Sequence, residues 1–194
     1  KAGLFPAVGL DLPYEYETIL PDEDAEYARE ITIDLADVQP KVAIPHCPDN
    51  VHNVDEYVGT KIDYAFIGTC TNGRLEDLHV AADILKGKKV REGVRLMIGP
   101  ASKQVFLDAL KDRTVEILTE AGATFLPSGC GPCVGTHFGV PGNGEVVIST
   151  ANRNFPGRMG NRQASVYLAA PSTVAASALT GFITHPSSVV EASA

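Results

Sequence analysis

The sequence predicts an α/β protein with a doubly wound, mostly parallel sheet, helices on both faces and a short acidic lead-in. Two observations carry this prediction. From residue 61 onward, short apolar runs alternate with segments of helical periodicity. The chain has 194 residues, 44% of them hydrophobic, which is enough for one well-packed core. We expect residues 1–60 to lead in from a preceding domain through an edge strand and a loop, residues 61–185 to form the α/β domain and residues 186–194 to form a flexible tail.

Residues 1–60 differ in charge from the rest of the chain. They carry 13 acidic and 3 basic side chains, whereas residues 61–194 carry 11 acidic and 13 basic ones. Within the lead-in, residues 31–35 alternate apolar and polar, which is typical of a half-exposed strand. A second apolar run, residues 42–44, continues into a segment that two prolines keep out of regular structure.

Residues 64–85 predict the first strand and the first helix of the domain. The apolar run 64–67 ends at Gly68 and suits a buried strand. Apolar residues then recur at three- and four-residue spacing, which predicts an amphipathic helix that ends before Gly87. This stripe consists of Leu75, Leu78, Ala82 and Leu85. Residues 94–98 are the next apolar run and predict the second strand.

The remainder of the domain repeats the pattern. Ser102 is placed to cap a helix that runs through Leu110, and a second helical stretch, residues 114–121, follows. Ser172 is placed to cap a final alanine-rich helix that ends at Gly181. Further strands are predicted at residues 123–126, 146–149 and 165–168. Strands that alternate with helices in this way indicate βαβ units and a parallel sheet.

Reactive side chains follow three of these strands. Cys70 comes after the first strand of the domain, and Cys130 and Cys133 follow the third. Asn152 and Arg153 follow the fourth. Ligands of such sheets bind beyond the carboxyl ends of the strands, so we expect these residues to meet at one edge of the sheet.

The chain has four cysteines, Cys47, Cys70, Cys130 and Cys133. Residues 128–135, the second cysteine segment, contain a Cys-Gly-Pro-Cys turn in which both thiolates can face one metal or cluster. Cys70, in the first cysteine segment (residues 68–74), adds a third. Three thiolates fit a cubane cluster with one iron free of protein ligands, because closed [4Fe–4S] centres take four. Such an open iron is a Lewis acid.

Three other interpretations stay open on the cysteines alone. Cys47 would be the fourth ligand of a structural zinc ion, although a usual zinc site has two close cysteine pairs. The Cys-Gly-Pro-Cys turn also matches a thioredoxin-like dithiol, although the chain has no tryptophan and no well-patterned helix follows the turn. The third interpretation is that all four are ordinary buried thiols without metal or redox chemistry.

Residues 152–162 form a further motif, which we call the arginine loop. It holds Arg153, Arg158 and Arg162 among glycine, proline and asparagine. Guanidinium groups bind carboxylates and phosphates through two parallel hydrogen bonds, and Asn152 adds a neutral donor and acceptor. In isolation the loop slightly favours a solvated segment whose arginines pair with the acidic lead-in. Next to the three cysteines, its interpretation as a binding site for a small anionic ligand gains.

Composition argues against several classes of function. The net charge is −8, and phosphate contacts need clustered Lys and Arg, so we expect no nucleic-acid partner. No apolar run reaches the roughly 18 residues of a membrane-spanning helix, and no secretion signal is present. We therefore expect a cytoplasmic protein without membrane contact. The sequence begins at Lys1 rather than Met, which is compatible with a fragment or a processed subunit.

Three ordered motifs resemble the aconitase superfamily. They are Gly-Thr-Cys-Thr-Asn at residues 68–72, Gly-Cys-Gly-Pro-Cys at residues 129–133 and Asn-Arg-Asn-Phe-Pro-Gly-Arg at residues 152–158. The residues that follow the first two motifs, 74–77 and 135–137, fit as well. The similarity is greatest to the large subunits of 3-isopropylmalate dehydratase and homoaconitase, and it extends over nearly the whole chain, lead-in included.

The resemblance implies a set of functional residues. Cys70, Cys130 and Cys133 would ligate a [4Fe–4S] cluster. Asn152 would lie beside it, and the arginines Arg153 and Arg158 would hold substrate carboxylates. The implied reaction isomerises a hydroxy di- or tricarboxylic acid by dehydration and rehydration. In isopropylmalate dehydratase this reaction belongs to leucine biosynthesis, and in homoaconitase to lysine biosynthesis or a related pathway.

The resemblance also implies that the chain is incomplete as a catalyst. Such large subunits are longer, and this chain matches only their C-terminal portion. The catalytic base is expected on a separate small subunit, a swivelling domain, in a heterodimer or heterotetramer. We therefore assign no catalytic residue here and expect no activity from the chain alone. Cys47 and His137 receive no role. The rival hypothesis is a non-catalytic metal-binding or thiol-redox domain.

Overall fold

The computed structural model describes residues 20–190. The chain divides into two units, Lys1–Asp37 and Val38–Ala194, and the sheet lies wholly in the second. Parts of the predicted lead-in and of the predicted tail fall outside the described residues, and both stay predictions. In the range that is described, no helix has the length and apolarity needed to cross a membrane.

In the first unit, the strand predicted at residues 31–35 is wrong. The segment has no regular structure and runs into a single 3₁₀ turn, Leu35–Asp37. The Asp34 carboxylate accepts a hydrogen bond from the backbone N–H of Ala36 at 2.9 Å, which favours a turn over an extended chain. A strand also needs a neighbour for its backbone groups, and none pairs with this segment within residues 20–190. The exposed apolar side chains are Ile31, Ile33 and Leu35.

The second unit is built on a seven-stranded mixed sheet. Its strands are β1 Lys41–Ala43, β2 Val51–Asn53, β3 Tyr64–Gly68, β4 Arg95–Gly99, β5 Thr124–Phe125, β6 Val146–Ser149 and β7 Ser165–Ala169. Its helices are α1 Thr69–Asn72, α2 Leu75–Leu85, α3 Lys103–Lys111, α4 Thr114–Glu120 and α5 Pro171–Thr180. The strand order is β2-β1-β7-β6-β3-β4-β5. Strands β3 to β7 are parallel, whereas β1 is antiparallel to both of its neighbours, so the predicted α/β class and mostly parallel sheet are confirmed.

The order of the parallel strands defines a crevice. The first parallel strand, β3, lies in the middle of the five parallel strands, and the chain moves outward from it through β4 to β5. It then returns to the other side of β3 and moves outward through β6 to β7. The direction of winding therefore reverses between β3 and β6, and ligands of doubly wound sheets bind at the carboxyl ends of the strands at such a reversal. The first cysteine segment follows β3 and the arginine loop follows β6, so both begin at this point.

Each face of the sheet carries its own apolar core. On one face, Ala65, Ile67 and Ile98 pack with buried residues of helices α2, α3, α4 and α5. On the other face, Tyr64 and Phe66 come from the alternate positions of the same strand β3. They pack against residues of the connections between strands. These are Leu126, Cys133, Ala151 and Met159.

The handedness of the connections explains this division. Right-handed crossovers place the helices between β3, β4 and β5 on one face and the connections that return through β6 to β7 on the other. The returning connections are interrupted by glycine and proline and contain, among the described residues, only the 3₁₀ turn Gly131–Val134. The second face is therefore covered by the second cysteine segment and the arginine loop. The helices, which were predicted on both faces, pack on the first face in the described part of the chain.

Local capping chemistry sets the helix ends. The Ser102 hydroxyl accepts a hydrogen bond from the backbone N–H of Val105 at 3.2 Å, as predicted for the cap of α3. The prediction that Ser172 caps α5 is wrong, because that helix already begins at Pro171, whose fixed φ suits the first helical position. The helix ends at Gly181, which adopts a left-handed φ of 85°.

Candidate functional site

The first cysteine segment leaves β3 through a strained backbone. Thr69 has a φ of 86°, a conformation that β-branched residues rarely adopt. Its side chain is buried, and its hydroxyl accepts hydrogen bonds from the backbone N–H groups of Thr71 and Asn72, each at 3.3 Å. These bonds hold the sharp turn in place. The next residue, Cys70, is exposed at the edge of the sheet.

Side-chain hydrogen bonds join this segment to the end of β6. The Thr150 hydroxyl accepts from the N–H of Gly68 at 2.9 Å and donates to the carbonyl of the same residue at 3.0 Å. Asn72 Nδ2 donates to the carbonyl of Thr150 at 2.7 Å. Thr71 Oγ1 donates to Asn152 Oδ1, also at 2.7 Å. These hydrogen bonds thus join the segments that follow β3 and β6, on the two sides of the crevice.

The second cysteine segment forms a tight turn with its two thiols in different surroundings. Cys130 precedes the 3₁₀ turn and is exposed, whereas Cys133 lies within it and is buried in the core of the second face. The N–H of Cys133 donates to the carbonyl of Cys130 at 2.9 Å, and both thiols are free. The turn ends at Gly135 without continuing into an α-helix. A helix N-terminus is what activates a thioredoxin-like pair, so that interpretation lacks its structural basis.

The arginine loop packs against the second cysteine segment. Arg158 Nη2 donates to Cys133 Sγ at 3.8 Å. Its Nε atom is buried and has no hydrogen-bond partner in the part of the chain that is described. At a second point the backbones of Gly135 and Gly160 touch, since a Cβ atom at position 135 would lie 2.4 Å from the backbone nitrogen of Gly160. Arg158 is therefore held in the site, which weighs against a freely solvated loop.

A buried asparagine anchors the arginine loop. Asn154 is 1% exposed, and its Nδ2 atom donates to the carbonyls of Ile44 at 2.9 Å and Val166 at 3.1 Å. The residues immediately before it, Asn152 and Arg153, are exposed. Within residues 20–190 the Arg153 side chain forms no hydrogen bond or ion pair, so its charge is available to a ligand.

The described cysteines do not form a site for a single metal ion. Among the described residues, no three His, Cys, Asp or Glu side chains are close enough together to bind one metal ion. A tetrahedral zinc site needs four ligands around one ion, so the zinc interpretation with Cys47 finds no support. In a cubane cluster each cysteine binds a different iron, and the thiols need only border one cavity. The exposed thiols of Cys70 and Cys130, with cationic Arg158 at Cys133, fit an anionic cluster in donor type and in charge.

Tyr64 packs in the same apolar core as Cys133 of the second cysteine segment. Burial raises the pKa of Tyr64, so its hydroxyl stays protonated. That hydroxyl donates to Met97 Sδ at 3.5 Å, and a Cβ atom at Gly139 would lie 2.7 Å from it. Tyr64 is thus part of the core and is unsuited to act as a base.

Several residues of the site were missed by sequence analysis. All but Thr150 lie within the motifs, but the pairs that join β3 to β6 are separated by 78 to 82 residues of sequence. A threonine or asparagine beside a cysteine carries no signal of such a partner. The missed residues are Thr69, Thr71, Asn72, Thr150 and Asn154.

Fold and site together define a class of protein. The model of the aconitase family (aconitate hydratase) matches residues 55–181. This chain belongs to the aconitase family, which confirms the resemblance seen in its three motifs.

Within this family, the chain is similar to the large subunits of two kinds of enzyme. The chain is 50% identical over 193 residues to 3-isopropylmalate dehydratase large subunit 1 of Methanopyrus kandleri, a match that covers 96% of this chain and 46% of that protein. It is 58% identical over 171 residues to the probable methanogen homoaconitase large subunit of Methanosarcina mazei, covering 88% and 43%. It is 50% identical over 193 residues to the homoaconitase large subunit of Thermus thermophilus, covering 98% and 46%. The chain spans somewhat less than half the length of these relatives.

Proposed function

We propose that this chain is the cluster-bearing part of the large subunit of a 3-isopropylmalate dehydratase. The enzyme would isomerise a hydroxy dicarboxylic acid in leucine biosynthesis, by removing water and adding it back at the neighbouring carbon. One observation carries the proposal: the arginine loop contacts both cysteine segments, through the Thr71–Asn152 and Arg158–Cys133 hydrogen bonds. A homoaconitase, acting on a hydroxy tricarboxylic acid in lysine biosynthesis or a related pathway, is the second candidate, favoured by the 58% identity to the Methanosarcina mazei protein.

Cys70, Cys130 and Cys133 would hold a [4Fe–4S] cluster, in which the iron without a protein ligand supplies a Lewis acid for the substrate hydroxyl. The support is that three free thiols follow β3 and β5 at the carboxyl edge of one sheet. Burial of Cys133 excludes water from one side of the site. The guanidinium of Arg158 lies against that thiol, with Nη2 3.8 Å from Sγ.

Arg153 and Arg158 would bind the substrate carboxylates. A guanidinium fork fixes a carboxylate by two parallel hydrogen bonds, and two such contacts orient the carbon chain between them. The exposed side chain of Arg153 and the half-buried one of Arg158 lie on opposite sides of the Asn154 anchor in the sequence. Asn152 adds an amide beside the first cysteine segment.

We assign no catalytic base to this chain and propose that a separate small subunit supplies it, as a swivelling domain in a heterodimer or heterotetramer. In support, the relatives are named large subunits, and the edge that holds Cys70, Cys130 and Arg153 is exposed. The chain alone would then be inactive. Free thiols suit a reducing compartment such as the cytoplasm.

Anaerobic reconstitution with iron and sulfide tests the proposed function. We expect the large subunit to gain the visible absorption and the EPR response of a [4Fe–4S] cluster. Assembled with its small subunit, it should then turn over isopropylmalate faster than homoaconitate or homocitrate. A reversed substrate preference would select homoaconitase. Stoichiometric zinc without iron in anaerobically prepared protein would contradict the cluster.

Arg158→Lys is expected to lower kcat/KM of the reconstituted two-subunit enzyme by roughly 10- to 100-fold. Lysine keeps the charge but loses the planar fork, and a hydrogen bond to a charged group contributes about 1.5–3 kcal/mol. Arg162→Lys, at an exposed arginine of the same loop, is the matched control and should change kcat/KM by less than about twofold. Equal kcat/KM values for the two variants would contradict the assignment of Arg158 to the substrate site.

A further inference from the structure

Two threonine hydroxyls form a chain of hydrogen bonds that ends on Asn152. Thr69 Oγ1 lies 3.1 Å from Thr71 Oγ1. Thr71 Oγ1 lies 2.7 Å from Asn152 Oδ1. This series of hydrogen bonds begins in the buried, strained turn after β3. It ends at the exposed start of the arginine loop, on the other side of the crevice.

The direction of this chain is fixed at its buried end. Thr69 Oγ1 accepts the backbone N–H groups of Thr71 and Asn72, and backbone N–H groups can only donate. The proton of the Thr69 hydroxyl is therefore free to be donated to Thr71 Oγ1. Thr71 accepts there, and its own single proton goes to the carbonyl oxygen of Asn152. Hydrogen bonds aligned in this way strengthen one another.

This direction of the hydrogen bonds determines the role of the NH₂ group of the Asn152 amide. Its oxygen is used by Thr71, so its Nδ2 group, with two protons, is left as the free donor. Within residues 20–190 the Asn152 side chain makes no other hydrogen bond. An asparagine amide can turn over and exchange its oxygen for its nitrogen. With Thr69 already donating to Thr71, the turned amide would no longer accept the Thr71 proton, which would be left to solvent.

We propose that Thr71 is a positioning residue, whose hydroxyl fixes the Asn152 amide so that its N–H groups donate to an anion bound at the carboxyl ends of β3 and β6. The inference rests on the proposed function for the nature of that anion. A negatively charged acceptor at this place is either a sulfur of the cluster or a carboxylate oxygen of the substrate. The hydrogen-bond chain itself is present without either one.

The first test needs no iron. In ¹⁵N-labelled, iron-free protein, the Asn152 side-chain amide signals are assigned by their loss in Asn152→Ala. We expect Thr71→Val to shift these signals, whereas Thr71→Ser keeps them near their wild-type positions. Thr119→Val, the same change at an exposed threonine of α4, is the control and should leave them in place. Unchanged Asn152 signals in Thr71→Val would overturn the inference, and Thr71→Ala tests the same hydroxyl if the valine variant does not fold.

The second test uses the reconstituted two-subunit enzyme. Positioning groups of this kind typically change activity by 10–100-fold, so we expect kcat/KM to fall about 10-fold in Thr71→Val and to recover in Thr71→Ser. An altered EPR spectrum in Thr71→Val would identify the cluster as the acceptor. A raised KM with an unaltered spectrum would identify the substrate carboxylate. A fully active Thr71→Val enzyme would overturn this inference alone, whereas a wild-type subunit that binds no cluster would overturn the proposed function.

Discussion

Replacing Cys133 with serine is expected to abolish cluster binding and to lower kcat/KM of the two-subunit enzyme by more than about 100-fold, beyond the 10–100-fold typical of groups that only support a ligand. A serine hydroxyl does not ionise as a thiol does and is a poor ligand for iron. Cys133 is also buried in the core, with 4% of its surface exposed. The measurement is iron and sulfide content after anaerobic reconstitution, followed by steady-state kinetics.

The chain provides a matched control for this substitution. Cys47 is also a free thiol, but it is exposed in the connection between β1 and β2 and matches no ligand position. Cys47→Ser should retain both iron and activity. If Cys133→Ser retained its iron while Cys47→Ser lost it, the ligand assignment would have to be replaced by one that includes Cys47.

Gly135→Ala is expected to lower the free energy of unfolding by about 2–5 kcal/mol. Gly135 has a φ of 75°, where an L-residue with a side chain costs roughly 1–2 kcal/mol. Its new Cβ atom would also lie 2.4 Å from the backbone nitrogen of Gly160, and forcing an extra carbon into a packed site costs about 1–3 kcal/mol more. Because both partners are backbone, a side-chain rotation cannot relieve the clash. Urea denaturation of the iron-free protein measures the change.

Gly144→Ala separates the two contributions. Gly144 has a nearly identical φ of 74°, but no atom lies within 4 Å of the position that a Cβ atom would take. This variant should lose only the conformational part, roughly 1–2 kcal/mol. Equal losses in the two variants would mean that the arginine loop and the second cysteine segment do not need their close approach at Gly160.

The same contact bears on function. Gly135 and Gly160 belong to the two segments that bring Arg158 to Cys133. We therefore expect Gly135→Ala, if it folds, to weaken cluster retention although position 135 is not a ligand.

Much of the fold was predictable from local patterns. The apolar stripe of α2 and the cap at Ser102 are local features, and a helix is built from contacts within a few residues. The parallel strands β3 and β4 read as apolar runs because the sheet is covered on both faces. The segment at residues 31–35 has an equally good strand pattern and forms none, because a strand is completed only by a neighbour and a pattern does not contain the neighbour.

The sequence by itself determined which residues are the candidates for the chemistry. The three cysteines, Asn152 and the arginines stand out by residue type, spacing and their positions after predicted strands, and their order was sufficient to indicate the family. Composition also indicated an anionic ligand at the arginine loop and argued against nucleic acid. These are properties of side chains, which are present whether or not the chain is folded.

Only the tertiary structure decided how these residues are held. It leaves Cys70 and Cys130 exposed but buries Cys133 against Arg158, and it joins Thr71 to Asn152 across 81 residues of sequence. It also covers one face of the sheet with the second cysteine segment and the arginine loop, although helices had been predicted on both faces. The physical reason is that hydrogen-bond partners and close backbone contacts depend on the position of distant segments, which strand order and handedness fix and local sequence does not encode.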